Sequence, residues 1–189
     1  MFLIRHAPTA SNIGKVFMGQ TDVPALAVED PARLRVARAG PHAIYTSPLS
    51  RARTTASLLS PAEEAIVDAR LSERCVGEWE GLDHATVKAR WPDAFAGKVV
   101  DPRTTPPGGE AIEQFGERVA SFLEMLTERR TPEDVYVVTH NGWVRMALLI
   151  NGYITVERLF AESVPFLQPL ALDLRPERLR DPLPIRSRR

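Results

Sequence analysis

The chain has 189 residues, 44% of them hydrophobic and 25% charged, enough for one domain with a sizeable core. Twenty-four lysines and arginines balance 24 aspartates and glutamates, which argues against a broad basic surface for nucleic acid or an anionic membrane and leaves only local clustering open. A single cysteine, Cys75, excludes an internal disulfide and a metal site built on cysteines.

Residues 1–5 read as a short buried strand. Arg5 and His6 break the apolar run too early for a secretory signal, and no stretch approaches a membrane span in length, so a cytoplasmic protein is expected. Residues 7–30 carry turn formers without a sustained period and read as a long loop. Residues 31–39 fit a short helix opened by Pro31, and residues 42–46 a second strand. SPLSRARTTASLLS (47–60) reads as a helix with Ser47 as N-cap and Pro48 at its first position.

Residues 64–69 fit a third strand. LSERCVGEWEGL (71–82) holds two glycines and four charged residues and reads as a loop. Residues 83–91 fit a helix that stops before Pro92. Ile112, Phe115, Val119, Phe122, Leu123 and Leu126 mark one face at helical spacing, predicting a helix from about Glu110 to about Arg129. DVYVVT (134–139) is a continuous apolar strand of the kind found inside a parallel sheet covered on both faces. Residues 142–152 fit a helix and 166–174 a last strand, where Pro169 points to an edge or a bulge. The basic, proline-rich stretch 175–189 reads as a loosely held tail outside a single domain spanning 1–174.

Strands and helices alternate. The expected fold class is α/β: a three-layer α/β/α sandwich with a mostly parallel central sheet, whose ligands bind beyond the carboxyl ends of the strands. Two apolar strands end alike, FLIRH at His6 and VYVVTH at His140, and a third leads into SPLSRAR with Arg51 one turn into its helix. Side by side, these ends gather Arg5, His6, Arg51 and His140 around one crevice. Such a cluster is costly unless something negative binds between its members. Arginine forks, and a helix N-terminus near Ser47, suit a phosphoryl group. A metal site is disfavoured: His42 opens its strand at the opposite edge, His84 falls on a predicted surface helix, and the arginines would repel a cation.

These residues resemble the histidine phosphatase superfamily, with its phosphoglycerate-mutase-like fold, over most of the chain from Phe2 to about Leu174. RHA (5–7) stands for the family's R-H-G, followed by Asn12. GQTDVP (19–24), TSPLSRARTTA (46–56), LSERCVGEWEGL (71–82), PPGGEAIEQFGERV (106–119) and VVTHNGWVR (137–145) complete the set in order. Two features depart from the pattern. Ala7 replaces the usual glycine, and the first helix is reduced to LAVEDPARLRVA (26–37).

The resemblance implies that His6 is a nucleophile that forms a phosphohistidine, with its imidazole kept neutral by surrounding positive charge. It implies that Arg5, Arg51 and His140 act as three cationic donors to the phosphoryl oxygens. Asn12 adds a neutral hydrogen bond, or is merely a turn former. Glu73 is the implied acid, preferred over Glu78 and Glu80, of which Glu80 looks structural. Arg53 fits a solvated helix position and Cys75 a packing role. Gln20, Thr21 and Arg74 are candidate substrate contacts, with Phe17, Met18, Trp79, Lys98 and Arg103 as further ones.

The implied activity is a metal-independent phosphomonoester phosphatase acting on a small phosphorylated metabolite without a cofactor, similar to α-ribazole or broad-specificity phosphatases. The alternatives are a phosphoglycerate mutase, a protein-phosphohistidine phosphatase and a non-catalytic phosphate-binding module. A mutase is disfavoured because 88–109 carries one lysine and one arginine after Trp91. The expected partner is a small phosphomonoester, without nucleic acid or membrane; an oligomer is compatible with the sequence.

Overall fold

The structure, a computed structural model, describes residues 1–30, 42–61, 64–129, 134–161, 163–179 and 181–185. In chain order the elements are β1 (Phe2–Arg5), α1 (Ala10–Ile13), β2 (His42–Thr46), α2 (Ser50–Leu59), β3 (Ile66–Val67), α3 (His84–Arg90), β4 (Phe95–Ala96), β5 (Val99–Val100), α4 (Ile112–Glu128), β6 (Asp134–Thr139), α5 (Asn141–Ile150), β7 (Pro169–Ala171) and α6 (Pro176–Leu179). The main sheet has the order β3-β2-β6-β1-β7. Its first four strands run in parallel, and β7 closes the edge antiparallel to β1. β4 and β5 form a separate small hairpin.

The three layers follow from the pleat. Leu3, Tyr45 and Val137 point to one face, where they pack with α4 and α5. Ile4, Ile44, Tyr136 and Val138 point to the other, against Ala52, Ala56 and Leu59 of α2. Strands buried on both faces need apolar residues at every position, hence the uninterrupted runs. On α4 the expected face is buried through Ile112, Phe115, Val119, Phe122 and Leu123. Phe122 meets Tyr45 and Trp143 edge-on at 5.4 and 5.7 Å. Among the described residues no helix is long and apolar enough to cross a membrane.

Several expectations change. The loop 7–30 contains the single-turn α1, capped by Thr9, with Asn12 reaching back to the Thr9 N–H. The helix expected from Ser47 starts at Ser50. A remote carboxylate caps it: Asp22 Oδ1 accepts from both N–H and Oγ–H of Ser50, each at 2.7 Å. That carboxylate neutralises the partial positive charge expected from this helix end. The strand expected at 64–69 shrinks to two edge residues, and that at 166–174 to three. The helix expected at 31–39 lies outside the described residues. The tail departs from expectation up to residue 185: Leu179 and Ile185 are buried in the same apolar cluster as α4, with Leu183 packed against it. Apolar side chains spaced along a polar segment can still seat one by one on an amphipathic helix.

Ile185→Ala should therefore destabilise the protein by about 2–4 kcal/mol in urea unfolding, as deletion of a buried side chain does. A change near zero would return this segment to the surface.

Candidate active site

The parallel pairing of β1 with β6 sets the site. Arg5 lies opposite Thr139, and the His6 N–H donates to the Thr139 carbonyl at 2.9 Å. The next residue of each chain segment is a histidine, so the His6 and His140 rings stand 5.1 Å apart. On the other side of β6, the Ser47 N–H donates to Val138 O at 3.1 Å. Ser47 Oγ then meets His140 Nε2 at 2.8 Å, which is where the expected N-cap side chain has gone.

A cavity of about 510 Å³ opens beyond these strand ends, lined at this end by Arg5, His6, Asn12, Arg51, Glu73 and Gly142. His6 is 4% exposed. Its Nδ1 lies 2.6 Å from Ala7 O. A carbonyl only accepts, so Nδ1 carries the proton and Nε2 of the neutral ring keeps its lone pair. Burial is the largest cause that depresses its pKa, to about 3; the bond to Ala7 opposes it, and Arg51 and Arg5 add to it. Ala7 itself is fully buried, and its N–H donates to Thr55 Oγ1 at 2.8 Å. Its φ is not positive, so the position does not require glycine.

His140 differs from the expected cationic donor. It is fully buried and does not line the cavity. Burial, then His6, Arg51, Arg118 and Arg5, hold its pKa well below the ordinary value. Its Nδ1 has no hydrogen-bond partner among the described residues.

The two arginines of the site are fixed by oxygens that carry no full charge. Arg5 Nη1 donates to Ser163 Oγ at 2.6 Å and Val164 O at 2.7 Å. Its guanidinium carbon stands 3.6 Å from the centroid of the Phe166 ring. Arg51 Nη1 and Nη2 donate to Thr21 O and Gly19 O, both at 2.9 Å. Burial lowers the Arg5 pKa to about 10 against the pull of Glu73, which leaves it charged at neutral pH.

Glu73 reaches the same cavity from the loop after Leu71. Its Oε1 accepts from the Arg74 N–H at 2.9 Å and its Oε2 from the Gly142 N–H at 3.0 Å. The loop is held by Arg118 of α4, which pairs with Glu110 at 2.6 Å and donates to the carbonyls of Arg70, Ser72 and Glu73. Glu80 is structural, as read: its carboxylate accepts from the N–H groups of Gln20 and Thr21 and from the Thr21 hydroxyl.

Other candidates divide. Gln20 and Thr21 do not line the cavity; Glu80 and the Glu73 carbonyl take their polar groups. Arg74 lines it, with Nε on Glu110 O and Nη2 on Thr104 O. Phe17, Met18, Trp79 and Lys98 line it, whereas Arg103 is half-buried beside Asp101, off the cavity. Asn12 lines it with its amide oxygen bound by Thr9, which leaves Nδ2 to donate. His84 also lines it rather than facing solvent, stacked 6.0 Å from Phe17 and edge-on to Phe95 at 5.0 Å. Arg118, Gly142 and Phe166 escaped sequence reasoning; the one available signal was a glycine two residues after His140. Among the described residues no group of three or more His, Cys, Asp or Glu could share a metal ion.

A family model for the histidine phosphatase superfamily (branch 1) matches residues 1–163. The chain is 31% identical over 157 residues to the metal-independent phosphoserine phosphatase of Arabidopsis thaliana, covering 78% of this chain and 66% of that one. It is 26% identical over 196 residues to the 2,3-bisphosphoglycerate-dependent phosphoglycerate mutase of Rhizobium rhizogenes, covering 92% and 89%. The α-ribazole phosphatase structure from Shigella flexneri matches with a TM-score of 0.72 over 89% of this chain and 87% of that one. Its 22% identity makes that likeness one of fold.

The neutral, buried His6 has a consequence for stability. Folded, it stays unprotonated down to about pH 3, while an unfolded imidazole takes a proton near pH 6.5. Its contribution is complete above pH 6.5 and is lost as the pH falls toward 3. Urea unfolding at stepped pH should show stability falling through this window. His6→Gln should reduce that slope by up to about 1.4 kcal/mol per pH unit, and identical slopes would mean that His6 is not held neutral by the fold.

Proposed function

The chain belongs to the histidine phosphatase superfamily, and from that premise we propose that it is a metal-independent phosphomonoester phosphatase acting through a phosphohistidine at His6. The observation that carries this reading is the tautomer of His6: Nδ1–H is held by Ala7 O, and the Nε2 lone pair is left on a neutral ring between two guanidinium groups. A neutral imidazole nitrogen is a nucleophile, and fixed cations around it match the charge on a transferring phosphoryl group.

In this mechanism Arg5, Arg51 and Asn12 Nδ2 donate to the non-bridging oxygens of a small phosphorylated metabolite. His6 Nε2 attacks phosphorus in line as the ester oxygen leaves with the proton of Glu73. Water then gives its proton to Glu73 and attacks the phosphohistidine, releasing inorganic phosphate and restoring His6. The two backbone N–H bonds to Glu73 fix the carboxyl for both transfers.

Hydrolysis is favoured over mutase action by the rest of the cavity. A mutase must hold a second phosphate. Away from His6 the wall is mostly apolar, built from Phe17, Val76, Trp79, Val99, Val100 and Phe160, with Arg74, His84 and Lys98 as its polar members, and a wall of that make-up suits an apolar leaving group better than a second phosphate.

Turnover of p-nitrophenyl phosphate should persist in EDTA and fall at least about a thousandfold in His6→Ala. Phosphate trapped on the protein during turnover should be acid-labile and alkali-stable. Metal-dependent turnover indifferent to His6→Ala would overturn the reading. Glu73 has its own test. A Cβ on Gly142 would lie 2.5 Å from Glu73 Oε1, so Gly142→Ala should displace the carboxyl. We expect kcat about tenfold to a hundredfold lower, with inorganic phosphate binding within about twofold of wild type.

A further inference from the structure

Arg5 ends β1, but β1 does not hold its side chain. That is done by residues 163–167, more than 150 positions away, through Ser163 Oγ, Val164 O and the face of Phe166. The same ring meets the His6 imidazole edge-on at 5.9 Å, with the planes 60° apart. This segment is itself fixed at both ends. The Val164 N–H donates to Asn141 Oδ1 at 2.8 Å. The Leu167 N–H donates to Arg5 O at 3.0 Å, and Leu167 takes a left-handed backbone with φ 63°. A leucine in that region persists only where its surroundings over-determine it.

Packing does not account for Phe166. It is half-buried and joins none of the three apolar clusters. Its ring is instead applied to a guanidinium and to an imidazole. A ring face over a guanidinium favours one plane of the cation, and Nη1 is already committed to two acceptors. The opposite edge of Arg5 is then left for an anion in one orientation.

We propose that Phe166 is a positioning residue that fixes the guanidinium plane of Arg5 and the tilt of His6, so that a phosphoryl group meets both at once. The proposal rests on the phosphoryl-transfer reading of this site. It gives the non-helical stretch after α5 a role in the reaction: preorganisation of the oxyanion cradle from outside the strands that carry it.

The test measures inorganic phosphate affinity by calorimetry and kcat on p-nitrophenyl phosphate, with melting temperature as a check on folding. Phe166→Leu keeps an apolar side chain and removes the ring; it should weaken phosphate binding about tenfold and lower kcat. Phe166→Tyr should restore both to within about twofold. In an Arg5→Ala background, Phe166→Leu should change phosphate affinity by less than about twofold, because the group it orients is gone. Ser163→Ala, at an exposed position, should weaken phosphate about threefold and tests the same clamp without touching the ring. Wild-type phosphate affinity in both Phe166→Leu and Ser163→Ala would overturn the proposal. So would a Phe166→Leu loss that is undiminished when Arg5 is absent, since that is the mark of a purely structural residue. If Arg5→Ala weakens phosphate while the Phe166 and Ser163 variants do not, this proposal falls and the phosphoryl site stands. If wild-type protein neither binds phosphate nor turns over the ester, both fall.

Discussion

Buried guanidinium groups held on neutral oxygens are the constraint on which the rest of the molecule depends. Arg5 is bound by a serine hydroxyl and a carbonyl, and Arg51 by two carbonyls. These acceptors satisfy Nη1 of Arg5 and both Nη groups of Arg51, while the buried Arg5 Nε keeps no partner among the described residues. They do so without adding a full negative charge, so the positive charge is still there for a ligand. A carboxylate in the same place would make a better-compensated ion pair and a poorer anion site. The acceptors come from loops, because carbonyls inside strands and helices are already spent on the backbone ladder. The long connections after β1 and α5 therefore belong to the site.

The carboxyl side of the cavity is built by a different route. α4 buries one face in the core and from its flank extends Arg118, which grips Glu110 and three carbonyls of the loop that carries Glu73. Glu80 performs the reciprocal task, gathering the N–H groups of residues 20 and 21 with the Thr21 hydroxyl. One arginine organises acceptors and one glutamate organises donors. Glu73 thus owes its place to a core helix, and the core packing of α4 is coupled to the placement of that carboxylate through Arg118.

What could be read from the sequence was whatever leaves a local pattern. β1, β2 and β6 are continuous apolar runs, and α4 repeats its large residues at helical spacing; all four appear where expected. That Arg5, His6 and Arg51 line one cavity follows from strand ends in a parallel sheet, which needs only the topology, whereas His140 is buried off its wall. The rest depended on pairs distant in sequence. The cap of α2 is Asp22, not Ser47, because a loop folds back over the helix end. His84 faces the cavity because the hairpin of β4 and β5 brings Phe95 against it. Phe166 leaves no signature, since a ring on a cation imposes no spacing on the chain. Leu179, Leu183 and Ile185 lie among prolines and arginines, and composition there outweighed the few side chains that dock.

The charge state of His140 was also out of reach, and its cause explains the choice of residues around it. Burial that keeps both imidazoles neutral leaves His6 Nε2 its lone pair, but it removes imidazolium as a source of positive charge. The cations of the crevice must then be of a kind that the same burial cannot discharge. Arg5 is lowered only to about 10, so it stays protonated where a lysine, which starts lower and shifts more readily, would be close to losing its proton. A site that needs a neutral histidine and a permanent cation in one dry crevice is thereby driven to arginine. The guanidinium must also be oriented, because its donors lie in one plane. The oxygens and the aromatic face that surround Arg5 meet that second requirement with groups that leave its charge intact.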